Sequence, residues 1–294
     1  MEGSTKLKLA YIDRMNRANL TSAEVDFILW LALKQDNSGR VRGVHYKDVC
    51  EELNLSIQKY YDICNSLQAK GLIQWTKQSY WDRDFVLTDN SFVRGKADFK
   101  QGFVNVSYEF FRSDDFRKMK AGAKLLAIDC YRISRTNNVS YQIYVKNFFE
   151  KYSALFSVTV KVLREYLKEI KKFFSVGIKN GKYYITPLAA TKMSVIDETE
   201  KSLCYQQIVR AACRRTRINI KDVPGWVLKN IYALFDQYKN YGGNSLADLM
   251  IASILESIKN VNSERKRKKD WIRELDIKFI HKILNNKLHQ LKLI

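Results

Sequence analysis

Two segments 103 residues apart carry the same spacing of apolar positions: Tyr60, Ile63, Cys64 and Leu67 in the first, Leu163, Tyr166, Leu167 and Ile170 in the second. Each set falls at i, i+3, i+4 and i+7, which places four side chains on one face of a helix. In both copies a hydroxyl residue, Ser56 or Thr159, stands where an N-cap belongs, since its oxygen can accept from the unpaired N–H groups of the first turn.

The flanking patterns repeat as well. Thr21-Ser22-Ala23-Glu24 comes close to a capping box and opens a helix with Val25, Ile28, Leu29 and Ala32 on one face, stopped at Asp36-Asn37-Ser38-Gly39. A short strand over 39–44, a helix over Tyr46 to Leu53 and a turn at Asn54-Leu55 lead to the repeated helix, which Gly71 ends. Strands at Leu72 to Trp75 and Phe85 to Leu87 then flank a loop around Tyr80 to Asp84, and the residues before Thr21 form a polar lead. After a polar linker over Ser91 to Gly102, the second copy has helices over Gly122 to Ile133, Val145 to Leu155 and Thr159 to Phe173. Val176 to Lys179 and Lys182 to Ile185 flank Asn180-Gly181, a strong type I′ hairpin signal that Pro187 closes. From about Met193 no strand-like alternation remains. Four helical segments follow, at Ser202 to Thr216, Val227 to Asn240, Ser245 to Lys259 and Asp276 to Lys292, broken by Pro224-Gly225 and Gly242-Gly243.

Helix, short strand, helix, helix and hairpin is the layout of a winged helix, in which the third helix enters a DNA groove and the hairpin lies against the backbone. The expected fold is mainly α with small β-wings: winged-helix domains over 1–95 and 96–192, then an all-helical C-terminal domain over 193–294.

Charge gives this layout a partner. The chain carries 51 Lys and Arg against 31 Asp and Glu, a net charge of +20, taken here as spread along the protein. Such a field favours a polyanion, and duplex DNA, with one charge per ~1.7 Å, is the commonest. A basic but solvated surface is the alternative.

The five cysteines are widely spaced without a C-x-x-C, and they suit a reduced core. No signal-peptide h-region and no run of about 18 apolar residues occurs, so a soluble cytoplasmic protein that does not enter membranes is expected. Only His45, His281 and His289 supply imidazole, and no phosphate loop, dinucleotide fingerprint, nucleophile elbow or zinc motif occurs. The expectation is a protein that is not an enzyme and needs no cofactor or metal.

On the first repeated helix the outward positions are Ser56, Gln58, Lys59, Tyr61, Asp62 and Asn65. Gln and Asn can pair with adenine, Lys with guanine or phosphate, and Asp with cytosine, so this face has base-reading chemistry; an ordinary solvated face is the alternative. The second helix starts at Thr159 and exposes Lys161, Arg164, Glu165 and Lys168, with Lys171 and Lys172 following, a set suited to phosphates. Lys179 and Lys182 bracket the second hairpin tip. Two denser basic runs are Cys213 to Arg217 and Arg265-Lys266-Arg267-Lys268-Lys269, the latter five counted as DNA contacts or as a solvated loop. The terminal apolar set Ile277, Ile280, Ile283, Leu284, Leu288 and Leu291 needs a partner surface, within its domain or on another chain.

Phe103-Val104-Asn105-Val106-Ser107-Tyr108-Glu109-Phe110-Phe111, followed by Ala123-Lys124-Leu125-Leu126-Ala127-Ile128, resembles the opening of winged-helix domains in replication initiators of plasmids and integrative elements from Gram-positive bacteria. Phe279 to Asn286 resembles a helix of DnaD-type primosomal proteins, with Lys287 where those carry Trp. The resemblance implies initiation or control of replication for a mobile element, with replication proteins as partners and self-association on repeated sites. A transcription regulator with the same DNA-binding half and a winged-helix protein–protein adapter are the alternatives.

Overall fold

The computed structural model describes residues 6–79, 82–93, 102–105, 110–111, 113–136, 140–188, 198–242, 245–263 and 270–294. It is mainly helical with small antiparallel sheets. The chain begins with β1 (Lys6–Lys8) and α1 (Leu9–Arg17), then runs through α2 (Ser22–Lys34), β2 (Arg40–His45), α3 (Tyr46–Leu53), α4 (Ile57–Ala69), β3 (Ile73–Lys77) and β4 (Asp82–Leu87). The order recurs as β5 (Phe103–Asn105), α5 (Asp114–Arg117), α6 (Ala121–Thr136), β6 (Tyr141–Tyr144), α7 (Val145–Phe156), α8 (Val160–Ile170), β7 (Phe174–Lys179) and β8 (Lys182–Pro187). The helices α9 (Glu198–Arg215), α10 (Gly225–Gly242), α11 (Leu246–Asn262) and α12 (Ile277–Gln290) complete it, with a 3-10 turn at Ile220–Asp222.

Local chemistry accounts for these boundaries. Thr21 and Glu24 form a full capping box at α2, with Thr21 N–H donating to Glu24 Oε2 at 2.6 Å and Glu24 N–H to Thr21 Oγ1 at 3.3 Å. Ser56 and Thr159 cap α4 and α8, and all eight residues of the repeated apolar sets are buried. Both three-stranded sheets place the last strand in the middle, β2-β4-β3 and β6-β8-β7. Asn180 and Gly181 both have positive φ, 50° and 69°, as a type I′ turn requires.

Several elements differ from the sequence expectation. The polar lead contains β1 and α1, whose Tyr11, Ile12 and Met15 are buried; a three-residue strand and a nine-residue helix interrupted by charges leave little periodic signal. Strand β6 is an addition to the expected elements, and α8 stops at Ile170, so Lys171 and Lys172 lie in the turn beyond it. The wing tip at Tyr80-Trp81, most of the 91–102 linker, Val106 to Glu109 and the basic run 265–269 lie outside the described residues.

The largest difference concerns the core. One apolar cluster runs from Leu7 to Ile185 through both repeats, and a second fills the C-terminal helices from Cys204 to Leu288. Sequence periodicity marks one face of α2, but Phe27, Trp30, Leu31 and Leu33 fill the opposite side, and a helix apolar all round is a buried helix. Its other side meets α6, its counterpart in the second repeat. Asp26 Oδ1 lies 2.5 Å from Lys124 Nζ, and Ser22 Oγ donates to the Met119 carbonyl at 3.1 Å. Counterparts also meet at β1 and β5, which pair antiparallel with Leu7 opposite Val104. At both places an element of the first repeat thus meets its counterpart in the second.

Most of the face of α12 predicted to need a partner is covered by neighbouring C-terminal helices: Ile280, Ile283, Leu284 and Leu288 are buried as α12 packs on α10 and α11, Ile277 is half-buried, and Leu291 stays 55% exposed. No described helix is long and apolar enough to cross a membrane.

Candidate nucleic-acid interface

In the first repeat, α4 turns Tyr60 edge-on to Phe27 of α2, with ring centroids 6.0 Å apart, and this fixes which side faces out. Gln58, Lys59, Asp62 and Asn65 are exposed, and Gln58 Nε2 donates to Asp62 Oδ1 at 2.8 Å one turn on. Ser56 is occupied as the cap, accepting from Lys59 N–H at 3.1 Å. Tyr61 is half-buried. The Arg83 guanidinium sits 4.7 Å from the Tyr61 ring and 4.5 Å from the Trp75 ring, so it is held between helix and wing. Tyr46, Ile57, Tyr60, Tyr61, Lys77 and Arg83 contribute to the wall of a cavity of about 300 Å³ at this junction. Sequence reasoning missed Arg83, because its role depends on β4 carrying it back beside α4.

In the second repeat, Lys161, Arg164 and Lys168 are exposed along α8, opposite the buried Leu163, Tyr166, Leu167 and Ile170. Thr159 caps the helix, Lys168 pairs with Glu165 at 3.0 Å, and the Arg164 guanidinium lies 5.6 Å from the Phe149 ring. Lys171 is exposed, and Lys172 is paired with Asp115 of α5. At the hairpin, Lys179 and Lys182 are cross-strand partners; Lys179 is exposed, and the Lys182 ammonium sits 4.6 Å from the Tyr144 ring. The hairpin tip thus carries a pair of cations of its own.

The positive charge is unevenly divided, which corrects the expectation of a spread excess. Residues 21–93 hold ten Asp and Glu against eight Lys and Arg, whereas residues 103–188 hold sixteen Lys and Arg against seven acids. The acids of the first repeat are met from outside it. Helix α9 packs along β2, where the β-strand register shifts between Val41 and Val44 and Gly43 adopts φ +59°. A Cβ on Gly43 would lie 2.1 Å from that of Ala211, so only glycine admits α9 this closely. Gln207 Nε2 donates to the carbonyls of Arg42 and Gly43 at 3.0 and 3.1 Å. Arg214 pairs with Asp48, Arg215 Nε reaches Asp82 Oδ2 at 2.7 Å, and Arg210 lies 3.6 Å from Glu52. Arg42 binds Asp36 and reaches Asp248 of α11 at 2.6 Å. Arg214 and Arg215 of the 213–217 run are thus committed to these carboxylates.

His45 Nδ1 accepts from Lys47 N–H at 3.2 Å and caps α3; burial, then the nearby Arg214 cation, hold its pKa below the usual imidazole value. Tyr238 and His281 share a 2.7 Å hydrogen bond inside the C-terminal domain. All five cysteines are free thiols, and burial raises the pKa of each, which keeps them protonated. Among the described residues no group of three His, Cys, Asp or Glu is placed to hold a metal ion.

No protein-family profile, curated protein or solved structure matches this chain.

Proposed function

We propose that the protein binds duplex DNA through two winged helices, residues 22–87 and 121–187, with α4 and α8 as the groove-entering helices. The cations of the second repeat carry this reading: Lys161, Arg164 and Lys168 run along the exposed side of a helix whose other side is buried, and Lys179 and Lys182 form a further pair on the hairpin. Helix order, central last strand and hairpin in both repeats support it. A helix with a cationic outer face beside a β-hairpin matches the groove and backbone of a duplex in shape and charge. The first repeat, with Gln58, Lys59 and Asn65 outermost, suits base reading, and the second suits phosphate contact. Two such units in one chain would address two neighbouring sites, and linkage would raise the affinity of each through effective concentration. Within this class we place the protein in initiation or control of replication of a mobile element, acting without catalysis of its own, on the resemblance of residues 103–111 and 123–128 to such initiators.

The test is a salt titration of binding by the full chain. Replacing Lys161, Arg164 and Lys168 with Ala should weaken binding to all duplexes alike and flatten the log–log salt slope by about 0.9 for each phosphate that is no longer neutralised. Replacing Gln58 or Asn65 should change which sequence is preferred, by ~1–3 kcal/mol per base pair read. Salt-independent binding, unaffected by either set, would refute DNA recognition.

A further inference from the structure

The tip of the second hairpin carries a side chain that the phosphate reading leaves without a task. Ile178 is 64% exposed, among the most exposed large apolar side chains described, and it sits one residue from Lys179. Register places it. Cross-strand partners share a face, and Ile178 is opposite Tyr183, which packs on Phe148 and Phe149 with ring centroids 5.1 and 6.1 Å away. Ile178 therefore lies on the same face of the wing as Tyr183, and while Tyr183 reaches α7, Ile178 stays exposed. Lys179 and Lys182 occupy the next pair toward the tip, on the opposite face.

Two observations show that the fold does not need an apolar residue there. A Cβ on Gly177 or Gly181 would meet nothing within 4 Å, so there is open space beside both glycines, while Val145 N–H donates to the Gly181 carbonyl at 3.0 Å and ties the tip to the start of α7. In the first repeat the same position of the wing, opposite Arg83 as Ile178 is opposite Tyr183, is Lys77. An exposed apolar branch one pair below two cations on a hairpin tip is suited to a target that is anionic outside and apolar inside, which describes a base stack behind its phosphates. Tyr144, 54% exposed at the end of β6 and opposite Lys182, adds a second apolar surface beside the tip.

We propose that Ile178 is a wedge that enters a base step of the bound duplex from the minor groove while Lys179 and Lys182 hold the flanking phosphates. This rests on the DNA-binding reading above. Apolar wedges of this kind partly unstack a step and kink the duplex toward the major groove by about 20–90°. The wing then sets the shape of the DNA as well as holding its backbone, and flexible pyrimidine–purine steps are the favoured entry points.

The experiment uses the full chain and a duplex of about 30 base pairs selected by it from a random-sequence pool, a length suited to measuring a bend. End-to-end energy transfer reads the bend, 2-aminopurine fluorescence reads unstacking, and a salt titration reads phosphate neutralisation. Ile178→Ala should abolish the bend and the fluorescence rise, cost no more than about tenfold in affinity and leave the salt slope unchanged. Ile178→Leu should restore the bend, and Lys179→Ala with Lys182→Ala should flatten the salt slope. A straight duplex with the wild-type chain, or an equal bend with Ile178→Ala, overturns the wedge while leaving DNA binding intact. Absence of salt-dependent binding by the wild-type chain overturns the DNA-binding reading and the wedge with it.

Discussion

The ion pair between Asp26 and Lys124 can be weighed directly, because it joins the two repeats at equivalent helices. Lys124 is 0% exposed, its ammonium lies 2.5 Å from Asp26 Oδ1, and the Phe116 ring centroid is 5.5 Å away. Burial dominates both titrations: it raises the pKa of Asp26 and lowers that of Lys124, and in neither case does the partner's charge fully offset it. Both shifts favour the neutral forms, so at neutral pH the charged pair is a net cost relative to the same groups in water. Removing one partner is worse still. Asp26→Ala leaves a buried ammonium facing the nearby Arg117 cation, and an uncompensated buried charge costs about 3–5 kcal/mol. At roughly 2–4 °C per kcal/mol for a chain of this order of size, the melting temperature should fall by roughly 6–20 °C.

The double variant Asp26→Leu with Lys124→Met should reverse that loss. Replacing a buried pair by apolar residues of similar volume is neutral or stabilising by about 1–4 kcal/mol. Urea unfolding followed by tryptophan fluorescence measures both variants, and the coupling free energy follows from the cycle with Lys124→Met alone. A double variant as unstable as Asp26→Ala would show that the α2–α6 contact depends on the charges themselves, and the reasoning would fail.

Three further outcomes are expected. Gly43→Ala should destabilise the chain by about 2–4 kcal/mol, since it combines a strained positive φ with overlap against Ala211, and Ala211→Gly should recover part of the loss in a thermal melt. His45 has a depressed pKa, so its contribution to stability is complete above the unfolded value of 6.5 and is lost as pH falls through the lower folded value; stability measured against pH should drop there, and His45→Asn, which keeps a cap without a titrating ring, should remove the drop. Arg214→Gln with Arg215→Gln should weaken DNA binding by exposing Asp48 and Asp82, and Asp48→Asn with Asp82→Asn added to that background should restore it; no restoration would show that the arginines contact DNA themselves.

What the sequence revealed divides along physical lines. The repeated helix, its caps at Ser56 and Thr159 and the Asn180-Gly181 turn were legible because each depends on residues within one or two turns of one another. The α2–α6 contact was not, because the apolar residues on both sides of α2 blur the single-face pattern that a periodicity search expects. Strands β1 and β6 are too short to alternate visibly, and β1 is stable only because β5 pairs with it from almost a hundred residues away. On the candidate interface, the outward sides of α4 and α8 followed from their buried sides. Arg83, Ile178 and the α9 arginines did not, since register and docking place them.

The docking of α9 bears on how the two repeats divide their work. A repeat with more acids than bases repels a polyanion unless its carboxylates are neutralised, and Asp48, Glu52 and Asp82 are met by arginines from a single C-terminal helix. Those arginines would otherwise be the densest basic surface of α9, so docking cancels acid on one domain and strong non-specific attraction on the other. Residues 103–188 hold sixteen Lys and Arg against seven acids and residues 189–294 twenty against eleven, and on the proposed reading α8 and its hairpin would hold phosphates without demanding a sequence. On the same proposal the first repeat, close to neutral once α9 is in place, would contribute through the geometry of Gln58, Lys59 and Asn65, where hydrogen bonds to base edges would not be overwhelmed by charge. On that proposal affinity and selectivity would reside on different copies of the same unit, and the C-terminal helices would set the balance by the acids they cover.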